Sequence, residues 1–138
     1  MELVAPENFD LDYQISRPGT VPIFSMGSNS SPIEYLFSDK EEHRFKLKSR
    51  SLGATYMCLN KLLEQHLTIE IIADKRPITG KGTYWFAQAS LEFEPAIDLF
   101  FCPSTDELLT ECNKIQNEVI RKAITDFIIL NLDFISTI

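Results

Sequence analysis

Cysteine is scarce in this chain of 138 residues, with Cys58, Cys102 and Cys112 as the whole complement. An odd number at separations of 44 and 10 positions (58 to 102, 102 to 112) does not make a disulfide framework. It points instead to a reducing, cytoplasmic compartment. Histidine is scarcer still: His43 and His66 stand 23 positions apart, and no zinc spacing arises with the cysteines. Five glycines and seven prolines are too few for a disordered or fibrous chain. Long apolar runs are missing too. The most apolar segment, 127–138, is interrupted by Asn131 and Asp133 and is too short to span a bilayer. Residues 1–6 have no cationic start and no apolar stretch, so no signal peptide is expected. Positive charge is in deficit, at 13 Lys and Arg against 20 Asp and Glu, a net of −7. That balance argues against nucleic acid and anionic membranes, both of which need a basic field.

The charges that are present are sorted into blocks. Residues 1–42 carry eight acidic and two basic side chains, 43–81 three acidic and eight basic, and 82–138 nine acidic and three basic. Four of the middle block's cations, Arg44, Lys46, Lys48 and Arg50, recur at every second position, so a strand projects them from one face. Phe45 and Leu47 then point the other way, which removes the aromatic stacking that single-stranded nucleic acid requires.

Hydrophobic residues make up 44%, enough for a core, and the length suits a single domain covering 1–138. Strict alternation over 8–16 places Phe9, Leu11, Tyr13 and Ile15 on one face of a strand and Asp10, Asp12 and Gln14 on the other. Further strands are expected at 21–26, 33–38, 43–48, 67–73, 83–94 and 96–102, with 33–38 and 43–48 forming a hairpin through 39–42. In 83–94, Trp85, Ala87, Ala89, Leu91 and Phe93 face inward and Gln88, Ser90, Glu92 and Glu94 outward. Leu52, Tyr56, Leu59, Leu62 and Leu63 fit helical spacing and predict a helix over 51–66, ending at His66. A second helix is expected over 105–130. Ser104 and Glu107 supply its capping box, and its buried stripe comprises Leu108, Cys112, Ile115, Val119, Ala123, Ile124, Phe127 and Ile128. The tail beyond 130 fits either more helix or a last strand. The expected architecture is α+β: a mostly antiparallel sheet of about six or seven strands with both helices on one face.

Catalytic constellations are weak. Residues 79–83 hold a fragment of a phosphate loop, but the glycine four residues before the Gly-Lys pair is missing and a strand follows, not a helix. Cys102 precedes a helix start, yet no base is placed near it, so a core thiol is expected. Glu92, Glu94 and Asp98 gather on one hairpin, as a carboxylate cluster or as a solvated face. No cofactor and no metal site is implied.

These features point away from an enzyme and toward binding. In size and charge alone, with no shared motif, the chain resembles bacterial immunity proteins and phage-encoded inhibitors, which implies a basic protein partner such as a toxin or nuclease. Glu92, Glu94 and Asp98, then Asp10 and Asp12, are the expected contact carboxylates. Arg44, Lys46, Lys48 and Arg50 either orient the partner or are matched inside the sheet by Glu70, Glu92 and Glu94. Two other readings remain open. One is a ligand pocket between sheet and long helix into which Tyr56, Gln88 or His66 converge, and the other is a self-associating phage or virus structural subunit.

Overall fold

The computed structural model describes residues 2–16, 42–50, 56–58, 61–63, 65–74 and 83–138. Seven strands lie among them, in chain order β1 (Phe9–Ser16), β2 (Glu42–Ser49), β3 (Tyr56–Cys58), β4 (Lys61–Leu63), β5 (Leu67–Asp74), β6 (Tyr84–Leu91) and β7 (Ile97–Cys102). Five of these form one sheet in the order β1-β2-β5-β6-β7, every neighbouring pair antiparallel. Among the described residues the main sheet therefore has five strands, against the six or seven expected. β3 and β4 pair only with each other.

Alternation accounts for the sheet. Phe9, Phe45, Leu47, Leu67, Ile69, Ile71, Trp85, Ala87, Ala89 and Leu91 are all buried in one core. Their neighbours along each strand point to the other face. Register pins this arrangement, because a slip of one residue would turn Phe45 and Leu47 outward and Lys46 and Lys48 inward.

The helices close the core from one side. A 3-10 turn (Thr105–Glu107) leads into α1 (Leu108–Cys112), followed by α2 (Glu118–Leu130) and α3 (Leu132–Ser136). α2 buries Ile120, Ala123, Ile124, Phe127 and Ile128, spaced three and four apart on one face. Phe127 meets Phe45 at a ring separation of 5.1 Å, and Phe45 in turn lies 6.2 Å from Trp85 and 4.9 Å from Tyr13. Each fully buried aromatic contributes roughly 1.5–3 kcal/mol by removal from water. Trp85 keeps its polar handle satisfied, its indole N–H donating to Thr105 Oγ1 at 2.9 Å.

Several expectations need correction. The helix over 51–66 does not form: within that span β3 and β4 pair Tyr56 with Leu63 and Cys58 with Lys61. Leucines at 59, 62 and 63 suit a helix, but so short an apolar run carries no period of its own. His66 thus ends no helix. It precedes β5 and donates from Nδ1 to the Ser49 carbonyl at 2.9 Å.

The long helix over 105–130 is broken between Cys112 and Glu118. Asn117 adopts an extended conformation and its side chain accepts from the Ile120 N–H at 3.0 Å, capping a new helix. Arg121 donates to the freed Ile115 carbonyl at 2.7 Å. Ser104 makes no side-chain cap to a backbone N–H; its hydroxyl donates to Glu107 Oε2 at 3.2 Å. The tail continues as α3 after a bend at Asn131.

The hairpin expected between 33–38 and 43–48 has its first strand outside the described residues, and both edges of β2 are taken by β1 and β5. The strand at 21–26, the phosphate-loop fragment at 79–82 and the Cys58 side chain also lie outside the description.

Candidate functional site

The cationic stripe sits where its alternation puts it, on the sheet face opposite the helices, and its neighbours are acidic. Across β1, Asp10 pairs with Lys48 and Asp12 with Lys46; across β5, Glu70 pairs with Lys46. Arg44 donates from Nε to Glu42 Oε2 at 3.0 Å and from an Nη to Glu70 Oε1 at 3.3 Å. Gln88 donates to the same Glu70 oxygen at 2.9 Å. Burial pulls the Arg44 pKa down, and its bonds to Glu42 and Glu70 more than offset that, so the net shift is upward. Arg50 reaches Asp10 at 2.8 Å. Lys46 and Lys48 are exposed and close no ion pair of their own among the described residues. The face is therefore mixed in charge, with Glu70 as the internal partner that Glu92 and Glu94 were also expected to be.

Farther along this face the side chains of β5 and β6 are no longer exposed. Ile72 and Tyr84 are buried on the side away from the helices, the Tyr84 hydroxyl donates to the buried Asp74 at 3.2 Å, and Phe101 lies against the Tyr84 ring at 5.2 Å.

The expected acidic contact set is divided. Asp10 and Asp12 lie on β1 at one edge and Asp98 on β7 at the other. Four strand spacings separate them, ~19 Å. Glu92 and Glu94 are not strand residues: β6 ends at Leu91, and Glu94 N–H donates to the Leu91 carbonyl at 3.2 Å to close a turn. Phe93 sits in that turn at φ 64° and is 97% exposed, so it is not the inward residue that alternation predicts. Left-handed backbone disfavours an aromatic residue, and a fully solvated ring gains nothing from the fold.

What unites Glu92, Glu94 and Asp98 is the unit they share. From Thr83 through Asn113, over β6, β7 and α1, the chain holds Glu92, Glu94, Asp98, Asp106, Glu107 and Glu111 and not one Lys, Arg or His. β7 is the end strand of the sheet. It is irregular: Ala87 pairs with Phe100 and Gln88 with Asp98, leaving Leu99 as an extra residue in a bulge. Ile97 is 47% exposed and Phe101 56%. Between β7 and the start of α2 lies an open cleft of about 690 Å³, its walls formed by Ile97, Asp98, Leu99, Lys114, Ile115 and Ile120 among others.

The remaining candidates are structural. Cys102 is buried, its thiol donates to the Ser104 carbonyl at 2.8 Å, and burial pushes its pKa up. Burial also pushes the Cys112 thiol up, to about 12. Neither is a thiolate at neutral pH, so neither is a nucleophile. His43 is buried with Nδ1 2.7 Å from the Tyr13 hydroxyl. Gln88 and His66 do not converge on a pocket: Gln88 is on the face away from the helices, and His66 is tied to Ser49. Among the described residues no group of three His, Cys, Asp or Glu gathers in a metal-holding arrangement, and no helix is long and apolar enough to cross a membrane.

Pattern reading missed Phe93, Ile97 and Phe101 as surface residues, because apolar side chains on strands are assigned to the core by default. The signal that was there is Glu92-Phe93-Glu94-Pro95, an aromatic residue between two carboxylates and ahead of a proline. Comparison with family models, with curated proteins and with solved structures found no match to the chain.

Proposed function

We propose that this chain is a cytoplasmic binding protein that occludes a basic protein partner, of the kind a toxin immunity protein or phage-encoded inhibitor takes. One observation carries it: the cations and the carboxylates are used differently. Arg44 and Arg50 are engaged by carboxylates of the same sheet, whereas Glu92, Asp98 and Asp106, in a stretch from Thr83 to Asn113 that holds no Lys, Arg or His, close no ion pair among the described residues. A surface of that sign steers a basic partner into encounter and rejects acidic ones. Lys46 and Lys48, exposed between Asp10, Asp12 and Glu70, supply a local contrast that fixes orientation.

A ligand pocket between sheet and α2 has less support, since Phe45, Trp85 and Phe127, each fully buried, occupy that space. The test is to capture partners from the native host, purify the one that elutes with salt, and titrate it by calorimetry against the wild type and a Glu92→Lys/Glu94→Lys variant. A basic partner whose affinity falls with salt and with charge reversal is expected. An acidic partner, or an affinity unmoved by both, sinks the proposal.

A further inference from the structure

We draw no further inference here: the strongest candidate, the exposed apolar patch of Ile129, Leu130 and Leu132 where α2 bends into α3, carries nothing because nothing in the structure shows what covers it.

Discussion

Asn131 and Val4, 127 positions apart, close a two-way hydrogen-bonded bridge. The Val4 N–H donates to Asn131 Oδ1 at 2.7 Å, and Asn131 Nδ2 donates back to the Val4 carbonyl at 2.8 Å. The amide imitates a strand partner for the N-terminal segment, while Nδ2 also satisfies the Phe127 carbonyl at 2.7 Å, near the end of α2. Asn131 is buried, so its loss leaves polar backbone without partners. Asn131→Leu is expected to cost about 1–3 kcal/mol in urea unfolding. Asn131→Asp keeps the acceptor for Val4 but places a carboxylate against two carbonyls, and should cost at least as much. Deleting residues 1–5 should remove most of the Asn131→Leu effect, because the two changes break one interaction. Full additivity would show that the bridge is not the coupling.

Glu70 is the hinge of the outer face, with one oxygen accepting from both Arg44 and Gln88. It is more enclosed than the Arg50–Asp10 pair, whose side chains are 62% and 71% exposed. Glu70→Ala should therefore cost about 1–2 kcal/mol, and Asp10→Ala under about 0.5 kcal/mol. The ranking is read from denaturation midpoints at low and high salt. If Asp10 proves the costlier loss, the stripe is neutralised from β1 instead of β5.

What was legible in the sequence follows from where one physical pattern acted alone. Residues 9–16, 67–73 and 84–91 alternate, and Phe9, Leu67, Ile69, Ile71, Trp85, Ala87, Ala89 and Leu91 were read correctly as core; Ile15, expected on the inward face, is 47% exposed, and Ile72 and Tyr84 are buried on the other face. Residues 56–63 were not legible, since leucines three and four apart serve a helix and a short hairpin equally. The break at Asn117 was hidden because Cys112, Ile115 and Ile120 stay on the buried side through it. Glu70 could be named as a partner of the stripe, but Asp10 and Glu42 could not. Their roles depend on β1 lying beside β2, a pairing no local spacing encodes. The candidate acids Glu92, Glu94 and Asp98 were found by sign. Their shared setting needed the strand order that puts β7 at an edge.

Cys112 gives a pH signature. Burial raises its pKa to about 12 from the ordinary thiol value of 9.0, so the folded state binds the thiol proton more tightly than the unfolded chain. Its contribution is fully present below pH 9 and is lost as pH climbs from 9 toward about 12. The difference in unfolding free energy between wild type and Cys112→Ala should accordingly be flat from pH 6 to 8 and shrink above 9. Below pH 8, iodoacetamide should label Cys102 and Cys112 only as fast as the protein opens. A pH-independent difference, or rapid labelling of the native protein, would place Cys112 outside the core.

Phe93 combines a left-handed backbone with a solvated ring, so its side chain should be dispensable to the fold. Its φ of 64° suits glycine or asparagine, and its ring is 97% exposed, so the fold loses nothing when the ring is removed. The turn bond from Glu94 N–H to the Leu91 carbonyl does not involve the side chain. Phe93→Gly is expected to raise stability by about 0.5–1 kcal/mol, the gain from relieving left-handed strain exceeding the added entropy of the unfolded chain. Phe93→Ala, which keeps a Cβ and so keeps the strain, should give little or none of that gain. Thermal and urea unfolding of the three proteins decide it. If Phe93→Gly is destabilising by a similar amount, the aromatic ring is held by contacts within the fold.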